Sequence, residues 1–191
     1  IKSRWLELGK PKIITACPTC FKIFKERLPQ AEVDYIWRIF EQYGLPPMAK
    51  SEPRKLVIHD ACTTRHEDCL HESIRNILLK LGHQIEELEN SRQTTGCCGY
   101  GGLMMFANRE LAQQVVDRRI KENQADYLVY CAMCRDNFVA QGKKTYHLLD
   151  LIFGENEQDR ARQLGPDFSQ RHENRARCKI AFLKEIWGEN V

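Results

Sequence analysis

The chain has no apolar run long enough to cross a bilayer and nothing with the layout of a secretory signal. No transmembrane segment is therefore expected, and the cytoplasm is the expected compartment. It also lacks a charge bias: 29 Lys+Arg stand against 26 Asp+Glu, a net charge of +3, with the bases scattered among acids. Nucleic-acid binding needs a basic face or stripe, so that class of partner is not expected. No nucleotide-binding glycine fingerprint is present. What remains is a 191-residue chain of ordinary hydrophobic and charged content, 42% and 29%, long enough to bury its own core.

Cysteine is what the chain has in excess. It holds nine, an odd number. Secreted disulfide scaffolds are usually much shorter and poor in long amphipathic helices. Reduced thiols serving as metal ligands or redox groups fit this chain better. Cys97 and Cys98 are adjacent, so their side chains leave the backbone on different sides and do not readily bridge each other. They sit among Gly96, Gly99, Gly101 and Gly102, where the main chain can bend closely around a bound group. Cys62 lies upstream of them, and Cys131-x-x-Cys134 lies downstream. Five thiols grouped as one, two and two are hard to explain as packing and natural as a sulfur-lined metal site.

The periodicity predicts an α/β fold with a parallel sheet. Strands are expected at 12–16, 55–59, 84–88, 126–130 and 145–146. Helices are expected after Cys20, over Asp34–Tyr43, around Ile74, Ile77, Leu78 and Leu81, and over 103–123. The last of these would bury Met104, Ala107, Leu111 and Val115. Another helix runs through Leu148, Leu149 and Ile152, and a polar helical tail ends in Ile180, Leu183 and Trp187. Pro46-Pro47 mark residues 45–53 as a linker. Strand, Cys-x-x-Cys and helix occur twice, at Cys17/Cys20 and at Cys131/Cys134, an internal repeat. In a parallel sheet the C-terminal strand ends share one edge, so the five thiols can converge there. The glycine turn and a helix starting near Leu103 would then supply the positive compensation that thiolates need.

The pattern Cys62…Cys97-Cys98-Gly99…Cys131-x-x-Cys134, with His59-Asp60-Ala61 before Cys62 and Gly101-Gly102 after the doublet, resembles the cysteine-rich CCG domain of the heterodisulfide reductase B-subunit family. That domain also occurs in iron–sulfur subunits of glycerol-3-phosphate dehydrogenase and of lactate and glycolate oxidases. The wording further resembles CCG regions fused to flavin-containing pyridine-nucleotide-disulfide oxidoreductases. The resemblance implies a [4Fe–4S] cluster, noncubane in heterodisulfide reductase, with Cys62, Cys97, Cys98, Cys131 and Cys134 as its ligands. It implies an electron-transfer role toward a disulfide, thiol or other small substrate. It also implies partners in the remainder of a longer polypeptide or in flavin- or ferredoxin-type redox subunits. Members usually carry two such domains in tandem, so Cys17 and Cys20 would be possible ligands of an incomplete second site. Ile1 in place of Met fits a numbering that begins inside a longer polypeptide. The expected organisation is residues 1–50 as the Cys-x-x-Cys remnant of a first unit, 51–153 as a complete CCG domain, and 154–191 as a helical tail.

Two other chemistries stay open on the residues alone. Zinc uses Cys-x-x-Cys half-sites in a non-catalytic module. A metal-free dithiol uses Cys-x-x-Cys at a helix start, as thioredoxin does. Cys69 and Cys178 fit no motif and are expected to be buried as small hydrophobes. His59, His66 and His71 are expected to be hydrogen-bonded structural residues, with donation to sulfur or service as spare ligands as the alternatives. Met104, Met105 and Phe106 have spacing that suits helix packing.

Overall fold

The computed structural model describes residues 1–47, 49, 51–154 and 156–188. In chain order it contains α1 (Lys2–Glu7), β1 (Ile13–Thr15), α2 (Pro18–Arg27), β2 (Val33–Tyr35), α3 (Ile36–Tyr43), β3 (Lys55–Ile58) and α4 (Asp68–Lys80). There follow β4 (Gln84–Glu87), α5 (Met104–Ala107), α6 (Arg109–Lys121), β5 (Tyr127–Val129), α7 (Ala132–Ala140), β6 (Thr145–His147), α8 (Leu148–Phe153), α9 (Glu157–Arg160) and α10 (Phe168–Glu185). The expected α/β class, with parallel sheets, flanking helices and a helical tail, holds.

The main sheet has four parallel strands in the order β4-β3-β5-β6, with Ile58 opposite Leu128 and Leu128 opposite Tyr146. Strand alternation divides the core into two faces. Leu56, Ile58, Leu128 and Tyr130 pack with Ile74, Ile77 and Leu78 of α4 and with Leu148, Leu151 and Ile152 of α8. Val57, Tyr127 and Val129 pack on the other side with Val116 of α6, Phe138 of α7, Cys98 and Cys134. Two core thiols thus lie directly on the sheet. A parallel sheet covered on both faces needs apolar residues at every strand position, which Leu56-Val57-Ile58 and Tyr127-Leu128-Val129 supply.

The repeat seen around the two Cys-x-x-Cys pairs extends further than its motif. β1 pairs in parallel with β2, Ile13 opposite Val33, and β5 pairs in parallel with β6. Each unit therefore runs strand, Cys-x-x-Cys, helix, strand, helix. The first unit's Phe21, Tyr35 and Trp37 join the same core as α4 and α8.

Three expectations are corrected. Residues 33–35 are strand, so the helix expected from Asp34 begins at Ile36. Pairing to β1 and stacking of Tyr35 on Phe21, centroids 3.8 Å apart, outweigh the local helical pattern. The helix expected over 103–123 breaks at Asn108, whose side-chain Oδ1 accepts the Leu111 N–H at 3.0 Å and caps α6. Its buried face is Ala112, Val116 and Arg119, while Leu111 and Phe106 are exposed. Cys69 and Cys178 are exposed rather than buried. Cys69 lies in the first turn of α4, facing away from the core, and α10 buries none of its residues. Of the expected linker, Met48 and Lys50 lie outside the described residues, as do Glu155 and residues 189–191 of the expected tail.

Ile74 is fully buried between α4 and the sheet. Ile74→Ala should lower unfolding free energy by about 2–5 kcal/mol, the usual cost of truncating a buried aliphatic side chain, as read by urea denaturation.

Candidate metal centre

The site is built at the C-terminal ends of β3 and β5, where a parallel sheet opens toward its loops. β3 delivers His59, Asp60 and Cys62, and β5 delivers Tyr130 and Cys131. The segment from β4 to α5 delivers Cys97 and Cys98. Asp60 joins all three. Its carboxylate, fully buried, accepts two hydrogen bonds from the Arg75 guanidinium (3.1 and 2.9 Å) and one from the Arg92 N–H (2.8 Å). The Tyr130 hydroxyl also donates to it, at 3.1 Å. The Asp60 carbonyl accepts the Thr95 hydroxyl at 2.8 Å. Asp60 thus contacts a residue within two positions of Cys97 and the residue just before Cys131, and is itself two positions from Cys62. Arg65 adds a second clasp, donating to the Thr95 carbonyl at 3.1 and 2.7 Å.

Within this frame the five expected thiols come together. Cys62 neighbours and influences Cys97, Cys97 Cys98, Cys98 Cys134, and Cys134 Cys131. Their charges follow from who donates. The Cys62 and Cys98 thiols donate to Cys97, and the N–H groups of Gly99 and Gly101 add to them. Together these hold Cys97 far below the ordinary thiol range despite burial. Gly99 N–H lies 3.3 Å from Cys97 Sγ. Cys131 falls to about 6 because the Cys134 thiol donates to it, against burial, with help from the N–H groups of Cys134 and Met133 at the start of α7. Cys62 is pushed up by its bond to Cys97 and by burial. At Cys98 the bond to Cys134 pulls downward, but the bond to Cys97 and burial outweigh it and raise the thiol to about 12. Cys134 is raised by its bonds to Cys131 and Cys98 and by burial.

Besides the neighbouring thiols, the donors that stabilise negative sulfur are the glycine turn and the start of α7. The helix expected near Leu103 is the four-residue α5 and supplies little. Gly99 is required here: its φ is +87°, and a Cβ would lie 3.0 Å from the Ala112 carbonyl oxygen. Asn137 closes the turn by donating to the Cys98 carbonyl at 2.5 Å.

Cys17 and Cys20 stand apart from this chain of thiols. Both are exposed, and Cys17 caps α2 by accepting the Cys20 N–H at 3.5 Å. They line the same apolar cavity as Cys62, Cys98, Cys131 and Cys134, a space of about 630 Å³. Of the three histidines near Cys62, His66 is exposed, and His71 packs against Thr64 in the core. His59 alone approaches sulfur: among the described residues, one of its ring nitrogens and the Sγ atoms of Cys98 and Cys134 lie within 4.8 Å of one another. Sequence reasoning noted Asp60 only as part of a motif. It missed Arg75, Arg119, Tyr130 and Asn137, because a polar residue inside an amphipathic helix or at a strand end reads as surface until its partners are known.

The donor set itself tests the fit to a metal group. Five neighbouring sulfurs exceed the four of a closed zinc site, and soft thiolates are the donors that iron–sulfur centres use. Residues 56–139 match the family model described as the CCG cysteine-rich domain. The chain carries a CCG cysteine-rich domain. It is similar to the EtfAB:quinone oxidoreductase of Syntrophomonas wolfei subsp. wolfei, 28% identical over 63% of this chain and 18% of that protein. It is also similar to the glycolate oxidase iron-sulfur subunit of Escherichia coli (strain K12), 26% identical over 66% of this chain and 31% of that subunit. A third relative, the "Probable iron-sulfur-binding oxidoreductase FadF" of Bacillus subtilis (strain 168), is 28% identical over 54% of this chain and 16% of its own length. The chain thus spans less than a third of each of these relatives. Among the described residues, no helix is long and apolar enough to cross a membrane.

Asp60 generates a stability prediction. Burial alone would raise its carboxyl, but the Arg75 hydrogen bonds and charge, with the Arg92 N–H, hold it below the usual carboxylate value. A depressed folded-state pKa contributes stability above the unfolded value, about 3.9, and loses it as pH falls through the lower folded value. Asp60→Ala should cost about 3–5 kcal/mol at pH 7, since it leaves Arg75 with a lost buried partner. That difference from wild type should shrink below about pH 4, measured by urea denaturation across pH.

Proposed function

We propose that the CCG domain is the iron–sulfur electron-transfer domain of a larger oxidoreductase, with Cys62, Cys97, Cys98, Cys131 and Cys134 as the ligands of a [4Fe–4S]-type cluster. The observation that carries this reading is the gathering of all five thiols, each influencing the next, at one sheet edge. The relatives named for iron–sulfur binding support it. When bound, such a cluster supplies one-electron redox chemistry. The chain's own residues prepare the site. Cys97 and Cys131 are already biased toward thiolate, so metal entry displaces protons chiefly from Cys62, Cys98 and Cys134. The glycine turn and the first N–H groups of α7 offset the gathered negative charge. The noncubane form that the heterodisulfide reductase resemblance implies, with five cysteines to one cluster, suits this donor count.

The cavity beside the thiols is the substrate site. Its walls are apolar groups and sulfur, and Cys17 and Cys20 line its exposed side. That chemistry suits a disulfide, a thiol-linked molecule or another small substrate that exchanges electrons with the centre. Residues 1–50 are the closing part of a second, similar unit, whose Cys17 and Cys20 would complete a further site with residues of a longer polypeptide. Flavin- or ferredoxin-type carriers in that polypeptide, or in other subunits, are the proposed electron partners, and the cytoplasm is the proposed compartment.

Anaerobic reconstitution with iron and sulfide should give a broad visible sulfide-to-iron absorption. A paramagnetic signal should follow one-electron oxidation or reduction. Cys98→Ser should lose most of the bound iron, whereas Cys178→Ser, on the exposed face of α10, should keep it. A colourless protein with one zinc and no acid-labile sulfide would overturn the reading in favour of a zinc-stabilised module. Turnover of model disulfides by metal-free protein would favour a dithiol mechanism.

A further inference from the structure

A buried histidine stands beside the thiols. His59 follows β3, is 1% exposed, and stands edge-on to Phe138 with centroids 4.7 Å apart. Its Nδ1 lies 3.0 Å from Arg119 Nε, and its Nε2 is buried without a partner. A guanidinium only donates, so Nδ1 must accept. The neutral ring then carries its single proton on Nε2. Among the described residues, the sulfurs that lie within 4.8 Å of one of the ring nitrogens and of each other are those of Cys98 and Cys134, 4% and 3% exposed.

We propose that Arg119 locks His59 in the Nε2–H tautomer, and that this N–H donates to the sulfur of Cys98 or Cys134 and so raises the electron affinity of the centre. The redox half of this inference rests on the iron–sulfur reading; the tautomer does not. His59 is accordingly a donor and not a ligand. Binding a metal through Nε2 while Nδ1 accepts from Arg119 would require the ring to lose both its protons. An N–H directed at sulfur withdraws charge from it and favours the more negative, reduced state, which raises the reduction potential. Arg119 is a positioning residue, acting through His59. It is 2% exposed and fixed in turn by Glu122 (2.5 Å), the Asn90 carbonyl (2.8 Å) and the Thr95 hydroxyl (3.3 Å). All three of its nitrogens are engaged, so its Nε has one fixed direction in which to donate.

Two measurements test this. In metal-free protein labelled with ¹⁵N-histidine, His59 should show a protonated Nε2 and a pyridine-type Nδ1. A protonated Nδ1, or averaging between tautomers, would overturn the proposal. In protein reconstituted anaerobically with iron and sulfide, His59→Leu should bind as much iron as wild type and titrate at a lower midpoint potential. His59→Gln, which retains an N–H donor, should shift less. Equal potentials in all three proteins would refute the donation. Should the leucine variant fail to fold, the glutamine variant and the wild-type spectrum still decide. If wild type assembles no iron–sulfur centre, the proposed function fails, and the tautomer stands or falls on the ¹⁵N spectrum alone.

Discussion

The site depends on one buried ion pair. Asp60 and Arg75 face each other with the carboxylate fully buried, and Glu87 at the end of β4 accepts from the same guanidinium at 2.6 and 2.7 Å. Two charges removed from water repay their desolvation only when the remaining lone pairs and protons are also satisfied. Here they are, by the Arg92 N–H and the Tyr130 hydroxyl. Those partners come from the same segments that deliver the cysteines, so the electrostatic requirement of one carboxylate fixes the relative positions of three loops. Hydrophobic burial would hold the sheet together without it.

The thiols meet because of how a parallel sheet orders its ends. β3 and β5 are neighbours, so Cys62 and Cys131 leave the same edge, though far apart in sequence. The doublet reaches them from the segment after β4, on the other side of β3. This much was legible in the sequence. Strand runs such as Leu56-Val57-Ile58 and Tyr127-Leu128-Val129 are short, β-branched or aromatic, and end directly before chemistry-bearing residues. The Cys-x-x-Cys repeat was also legible, because a cysteine at a helix cap after a strand is a local pattern that needs no tertiary knowledge.

What was not legible has a common cause: it depends on partners distant in the chain. Val33-Asp34-Tyr35 becomes a strand only because β1 lies beside it and Phe21 stacks on Tyr35. Asn108 reads as an ordinary helix residue until its side-chain Oδ1 is seen to cap α6. Arg119 is one of several bases on a polar helix, yet it alone is buried, because His59, Asn90, Thr95 and Glu122 surround it. The exposure of Cys178 likewise follows from α10 burying no residue, which its helical spacing of Ile180 and Leu183 does not reveal.

The electrostatic character of the site follows from which positive groups are free. Arg75 and Arg119 are both close to the thiol-bearing loops, and both are committed to oxygen or nitrogen acceptors. Arg65 lies nearest to acting on sulfur directly, pulling Cys62 downward, but it is outweighed by burial and by the neighbouring thiol and its guanidinium is spent on Thr95. Negative sulfur is therefore met by dipoles: Gly99 and Gly101 at Cys97, the start of α7 at Cys131, and the His59 N–H beside Cys98 and Cys134. Dipoles stabilise charge without neutralising it. A centre held this way keeps a net negative charge that changes with each electron, so its reduction potential is set by the number and aim of N–H groups. Full cations beside the sulfurs would instead bias the site permanently toward one state. The arrangement suits a group whose charge must change in use, which is the physical difference between an electron carrier and a structural clasp.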